Sequence, residues 1–290
     1  PIGGIYVALA QWGMGPVKEV LPAVQALAAQ IASALHSAEV YARTLAHQRV
    51  EQELELAGTI QASFLPKELP NVEGWELAVW IAPARQTSGD FTDWIALPNG
   101  RLGIVIADVA DKGLGAALFM ALSRTLIRTY AIEHDERPDL ALAAANQRIL
   151  SDTNSSMFVT AFFGILDTTS DTLTYCNAGH NPPYALNGEM VQALGATGLP
   201  LGILEELTWR TETIHFQPGD ALLLYTDGIS EAENRRGGFF GTERMLESAR
   251  SVPIRSAQAI QQAVIDAVFD WIGDAPQHDD ITVMVLFREE

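Results

Sequence analysis

Cysteine is nearly absent from this chain: Cys176 is the single one in 290 residues. No internal disulfide can form, which fits a reducing compartment and predicts a cytoplasmic location. Positive charge is scarce as well. Lys and Arg together number 18 against 36 Asp and Glu, a formal net charge of −18. So acidic a surface argues against nucleic acid or an anionic membrane as the main partner. No stretch of about 18 uncharged apolar residues stands out, so no membrane span is expected. No signal peptide, internal repeat or low-complexity segment is evident. Apolar residues, by contrast, make up 48% of the chain. That suffices for a sizeable core and argues against global disorder. The length suits one large domain with an appendage, or two domains.

The chain begins at Pro1, inside an apolar run Ile5-Tyr6-Val7-Ala8-Leu9, as expected of a piece cut from a longer protein near an upstream domain. Residues 21 to about 63 read as one long helix, with no glycine before Gly58 and no proline between Pro22 and Pro66. Val24, Leu27, Ile31, Ala34, Ala38, Tyr41 and Leu45 follow alternating steps of three and four, a heptad seam that degrades beyond Leu45. The expectation is a helical linker over 21–63 that forms a coiled coil and makes the protein a homodimer. The alternative is an amphipathic helix packed on its own domain.

Pro66 and Pro70 close that helix, and a strand follows at Trp75–Ile81. Asn99-Gly100 sits between two apolar runs, a strong hairpin signature, because a type I′ turn needs positive φ at both central residues. Asn187-Gly188 predicts a second hairpin, and Phe158–Leu166 with Thr172–Asn177 a third. Helices are expected near 114–133, 138–151, 242–251 and 256–272, with Met120 and a Leu118/Leu122/Leu126 stripe in the core. Further strands are expected near 207–216, 221–225 and 281–287. Hairpins and helix pairs predominate over alternating strand–helix units, which predicts antiparallel sheets packed with helices.

Aspartates gather at the ends of these apolar runs: Asp90 and Asp93, Asp108 and Asp111, Asp227, then Asp279 and Asp280. Carboxylates brought together repel one another and take up protons. A hard divalent cation relieves this, since oxygen ligands suit Mg²⁺ or Mn²⁺. A metal-dependent enzyme acting on phosphate follows. If Asn99-Gly100 is a two-residue turn, Phe91 faces Asp108 and Asp90 faces Val109. Asp90, Asp93 and Asp108 are then neighbours. Strict alternation places Asp93 on the face of Asp108, but the end of the ladder can relax that parity, so register does not choose between Asp90 and Asp93.

Gly89-Asp90-Phe91-x-Asp93, then Asp108-Val109-x-x-Lys112-Gly113 with Ala116-Ala117-Leu118-x-Met120, resembles the bacterial SpoIIE-like branch of the metal-dependent type 2C serine/threonine protein phosphatases. So do Asn177-Ala178-Gly179-His180-Asn181-Pro182-Pro183, Leu199-Pro200-Leu201-Gly202, Thr226-Asp227-Gly228 and Asp279-Asp280-Ile281-Thr282-Val283, all in the family's order. The resemblance spans about residues 60–290. It implies an α+β fold, an αββα sandwich of two antiparallel sheets flanked by helices, over 64–290. It also implies a site for two divalent cations, Mn²⁺ or Mg²⁺. Asp108 would bridge them and the Val109 main-chain carbonyl would be a ligand, with Asp90 serving one metal and Asp227 with Asp279 the other. Asp93, Asp111 and Asp280 are possible additional ligands, and Arg85 is placed to bind phosphate.

The chemistry so implied is hydrolysis of phosphoserine or phosphothreonine, with metal-activated water attacking phosphorus directly. The chain departs from the family at Thr92, Ala110 and Asp111, where Tyr, a histidine in some relatives, and Gly are usual. Asp111 is either an outer ligand or a turn residue. His180 is either a substitute acid or a residue that orders its loop. The resemblance further implies a partner, a STAS-type anti-anti-sigma factor, and a sensor upstream. Gly3-Gly4-Ile5-Tyr6-Val7-Ala8 resembles the tail of a GAF-type domain, so 1–20 is expected to be its remnant. The competing readings are a catalytically weak scaffold that binds a partner-switching protein, and a small-molecule phosphohydrolase.

Overall fold

The computed structural model describes residues 15–66, 68–153, 156–188, 190–252 and 255–289. The elements run α1 (Gly15–Phe64), β1 (Trp75–Ala82), β2 (Phe91–Ala96), β3 (Leu102–Val109), α2 (Leu114–Glu133), α3 (Pro138–Asp152), β4 (Val159–Asp167), β5 (Thr172–Ala178), β6 (Tyr184–Asn187), β7 (Met190–Ala193), β8 (Glu212–His215), β9 (Ala221–Tyr225), α4 (Asp227–Ser230), α5 (Gly241–Arg250), α6 (Ala257–Ile272) and β10 (Ile281–Arg288). Two five-stranded antiparallel sheets form, ordered β1-β10-β9-β6-β7 and β2-β3-β4-β5-β8. The strand expected near 207–216 shrinks to β8, and the single turn of α4 has no counterpart among the expected elements.

Alternation along each strand sorts the core into three layers. Trp94, Ile104, Ile106, Phe162, Tyr175, Leu222, Leu224, Met284 and Leu286 fill the space between the sheets. Phe91, Ile95, Val105, Ala107 and Phe163 face outward under α2 and α3. Leu223, Tyr225, Val283 and Val285 face the other way under α5 and α6. This is the expected αββα sandwich. One helix face differs from expectation: α2 buries Ala116, Phe119, Met120, Ser123 and Ile127, whereas Leu118 is 65% exposed.

The β2–β3 hairpin differs from expectation by one residue. Phe91 pairs with Ala107 and Ala96 with Leu102. The connection is a three-residue turn, Pro98–Gly100, with Leu97 N–H donating to the Arg101 carbonyl at 2.9 Å. Asn99 and Gly100 do take positive φ, 60° and 75°. A one-residue change of register moves every side chain to the other face. Continued one step past Phe91, this register sets Asp90 opposite Asp108, on the face between the sheets, and turns Asp93 toward α2.

The chain divides into two compact units, Pro1–Leu54 and Glu55–Glu290, so the division falls inside α1. In the first unit, Leu27, Ile31, Tyr41 and Leu45 of the heptad seam are exposed. The sensor remnant expected over 1–20 lies outside the described residues up to residue 14, and Gly15 onward is helix. A window of the Val20–Phe64 helix reaches a mean hydropathy of 1.2, so by length and composition it meets the minimum for crossing a membrane. The sequence hides this, because Gln25, Gln30, Ser33, His36 and Ser37 interrupt a run that otherwise carries no Asp, Glu, Lys or Arg from Val20 to Ala38.

In the second unit the end of α1 packs against the segment that precedes Asp90. A Cβ on Gly58 would overlap the Gln86 carbonyl oxygen, so only glycine allows the approach. One turn on, buried Gln61 receives the Ser88 N–H on Oε1 at 2.9 Å and donates from Nε2 to the Ser88 carbonyl at 2.5 Å. Gln61→Ala leaves two buried main-chain groups without partners. An expected loss of about 2 kcal/mol in urea unfolding follows, with faster hydrogen exchange at the Ser88 amide.

Candidate metal centre

Four of the aspartates lie within electrostatic reach of one another where the core between the sheets ends. Asp90 is 2% exposed and stands just before β2. Thr226 and Thr282 both donate their hydroxyls to Asp90 Oδ2, at 2.7 and 2.5 Å. One carboxylate oxygen is thereby pinned by residues of the opposite sheet. Burial, then the charge of Asp108, raises Asp90 well above the usual carboxylate range. Burial, then the charges of Asp227, Asp279 and Asp280, raises Asp108 to about 7. Burial and the charge of Asp279 raise Asp227, which sits at the start of α4. The electrostatic problem posed by the sequence is real in the structure, and a cation is its physical remedy.

Oxygen donors other than carboxylates also converge there. A Cβ on Gly89 would lie 3.1 Å from the Val109 carbonyl, 3.3 Å from Asp108 Oδ1 and 3.6 Å from the Asp111 carbonyl. Glycine thus leaves open a cradle of three oxygens. No three His, Cys, Asp or Glu side chains converge on one point among the described residues. The oxygens that do converge there are carboxylate and main-chain ones, the types that Mg²⁺ or Mn²⁺ accept together with water.

The remaining aspartates are used elsewhere. Asp93 is 1% exposed and faces α2, where Arg124 stands 3.0 Å away and Arg128 2.8 Å. It is a buried counter-ion, not a ligand; the three-residue hairpin turn is the reason. Asp280 accepts from the Ala84 and Gly89 amides, at 2.8 and 2.9 Å, and so closes the loop that carries Arg85. Each of its oxygens thus holds one main-chain amide of that loop. Asp111 is exposed, has φ of 115° and accepts from the Lys112 amide at 2.8 Å. It is a turn residue whose carbonyl, rather than carboxylate, faces the cradle. Its backbone lies where L residues are strained. Asp279 accepts from Lys112 Nζ at 2.8 Å. Arg85 is exposed, with no ion pair among the described residues.

Several residues that matter here do not stand out in the sequence: Thr226, Thr282, Gln61, Arg124 and Arg128. The two threonines lie inside recognisable motifs, one residue before Asp227 and two after Asp280, so their fixed spacing is an available signal. His180 accepts or donates at Nδ1 with the Thr160 hydroxyl at 3.0 Å. Burial pushes its pKa down to about 4, so at neutral pH the ring is uncharged. Thr160 is the β4 partner of Asp108, and the His180 amide donates to Asn177 Oδ1 at 2.8 Å. His180 therefore ties the loop after β5 to β4 and β5 of its own sheet.

Helix layers around two antiparallel sheets, with aspartates at one end of the space between them, are the architecture of PP2C-type serine/threonine phosphatases. The SiaA-PP2C domain of Pseudomonas aeruginosa has the same fold, with a TM-score of 0.73 at 23% identity, over 84% of this chain and 98% of that one. The chain belongs to the SpoIIE family: the family model described as Stage II sporulation protein E (SpoIIE) matches residues 98–289. It is similar to Protein IcfG of Synechocystis sp., 32% identical over 85% of this chain and 44% of that protein. It is also similar to Phosphoserine phosphatase RsbU of Bacillus subtilis, 28% identical over 83% of this chain and 72% of that protein. The chain thus spans less than half the length of one of these relatives and about three quarters of the other.

Proposed function

We propose that this chain is a metal-dependent phosphoserine/phosphothreonine protein phosphatase. The observation that carries the reading is the buried Asp90, held by Thr226 and Thr282, beside the oxygens of Asp108 and Val109 that crowd Gly89, with Asp227 and Asp279 near enough to raise the Asp108 carboxyl. Asp108, Asp90 and the Val109 carbonyl would hold one divalent cation, and Asp108, Asp227 and Asp279 the other. Mn²⁺ or Mg²⁺, when bound, would neutralise phosphoryl oxygens and make a water molecule acidic enough to react near neutral pH. Arg85 offers an exposed guanidinium fork for the phosphate. Asp280 fixes the loop on which Arg85 stands, and Thr226 and Thr282 hold Asp90 in one rotamer.

The chain supplies no competing nucleophile at this site among the described residues. Cys176 is fully buried, and burial pushes its thiol up to about 12. The Thr160–His180 pair has a base too weak at neutral pH to activate a hydroxyl. Direct attack of water on phosphorus, releasing the serine or threonine hydroxyl, is the reaction that remains.

The substrate we infer is a phosphorylated STAS-type anti-anti-sigma factor, with the enzyme a cytoplasmic homodimer joined through the exposed seam of α1. The name phosphoserine phosphatase carried by RsbU, and the exposed Leu27, Ile31, Tyr41 and Leu45, support this. Dimerisation would act on the site through Gln61 and Ser88, two residues from Asp90. A chain starting at Glu55 keeps Gln61 and should sediment as a monomer; an unchanged dimer would remove the α1 interface.

Hydrolysis of an aryl phosphate and of a phosphoserine STAS protein should require Mn²⁺ or Mg²⁺ and fall to background in excess chelator. Turnover that survives both chelator and Asp108→Asn would overturn the metal mechanism. Binding of the phosphoprotein without turnover would favour a scaffold.

A further inference from the structure

Lys18, Lys67 and Lys112 are the only lysines in the chain; the rest of its positive charge is arginine. One of these three stands inside the acidic cluster. Lys112 Nζ lies 2.8 Å from Asp279 Oδ2 and donates to the His278 carbonyl at 3.0 Å. We propose that Lys112 is a tethered counter-ion that competes with divalent cations for Asp279 and thereby sets how tightly the site takes metal. This rests on the reading of the cluster as a metal centre.

An ammonium is a compact point charge with three donors, the side chain closest to a small hydrated cation; a guanidinium would instead bind as a planar fork. Two of the three donors are in use here, one on a carboxylate and one on a carbonyl, the oxygen types that hard cations choose. The ammonium also eases the charge on Asp227, so its field reaches both carboxylates assigned to one metal. Asp279 is drawn to Lys112 and to the Asp280 amide, in keeping with the lack of any three-carboxylate convergence among the described residues.

The tether is short. Lys112 follows the Asp108–Asp111 turn, and its own amide is held by Asp111 Oδ1 at 2.8 Å. A divalent cation that takes Asp279 must displace the ammonium, which then stays nearby and still repels it. The pair is easily opened, because Lys112 and Asp279 keep 43% and 40% of their side-chain exposure. It is thus a weak competitor, of the size of an exposed ion pair.

The test is Mn²⁺ binding by the full chain, followed through the free-ion electron paramagnetic resonance signal. Lys112→Met should bind Mn²⁺ about 5-fold more tightly than the parent, as loss of one exposed ion pair allows. The gap should narrow in high salt, which screens the ammonium. A second readout needs no variant: limited acetylation of the parent, read by peptide mass spectrometry, should modify Lys112 more in Mn²⁺ than in chelator, relative to Lys18 and Lys67. Equal or weaker Mn²⁺ binding by Lys112→Met, or Lys112 labelling that ignores Mn²⁺, overturns the proposal. If the parent binds no Mn²⁺ at all, the metal centre itself falls. Binding that is identical in parent and variant removes only the role given to Lys112.

Discussion

Asp108→Asn is expected to stabilise the fold and abolish the activity at once. Asp108 has its folded pKa raised from the usual carboxylate value to about 7, by burial and by neighbouring carboxylates. The folded state therefore holds this proton more tightly than the unfolded state. The stability linked to it is complete below about pH 4 and is lost as pH rises through 7. A tenfold difference in proton affinity between the two states corresponds to about 1.4 kcal/mol; allowing for partial exposure, the loss by pH 8 is about 3 kcal/mol. Asparagine does not ionise, and it has nearly the same size and shape. At pH 8 in chelator the variant should melt roughly 6–12 °C above the parent, on the scale for a domain of this size. At pH 4 the difference should vanish. Metal-dependent turnover should fall by more than about 100-fold, since even partners outside the first coordination layer cost 10- to 100-fold. A variant that melts no higher at pH 8 would contradict the repulsion argument, whatever its activity.

Asp93→Ala should do the opposite. It removes the counter-ion of Arg124 and Arg128 from a site 1% exposed. Breaking a buried pair by deleting one partner costs about 3–5 kcal/mol, because a charge is left without compensation. Part of Arg128 reaches solvent, so the lower end applies. Urea unfolding should show that loss, while Mn²⁺ affinity measured on the folded fraction stays within about 3-fold of the parent's, the two sites being separate. Loss of Mn²⁺ binding with stability intact would place Asp93, not Asp90, in the metal centre.

These two aspartates also show how far the sequence can be read. The αββα sandwich, the element order and the gathering of Asp90, Asp108, Asp227 and Asp279 are legible, because alternation, turn residues and motif order all agree. Register is not. Asn99-Gly100 correctly signals positive φ at both positions, but the signature does not count the residues of the turn, and Pro98 joins it. The family resemblance favours Asp90 over Asp93 where strict alternation leans the other way. The observed pairing removes the conflict. Arg124 and Arg128 escape notice for a related reason: nothing local in α2 announces which face receives an acidic partner. Leu118 misleads because its leucine stripe is the more conspicuous one, while the face that packs is filled largely by smaller residues. Gly58 is visible as a lone glycine in the interior of the helix, but its purpose needs the Gln86 carbonyl, which only the fold brings near.

The three-residue connection Pro98–Gly100 lies at the far end of β2 from Asp90, about 26 Å away at the usual rise per residue. Substitutions there would be tolerated as long as the backbone shape is kept. An insertion or deletion of one residue is another matter. If β3 held its place, β2 would shift by one step, turning Asp90 toward α2 and Asp93 into the space between the sheets, opposite Ile104 or Ile106 instead of Asp108. A length change at a turn that touches neither aspartate would thus leave no carboxylate of this strand facing Asp108.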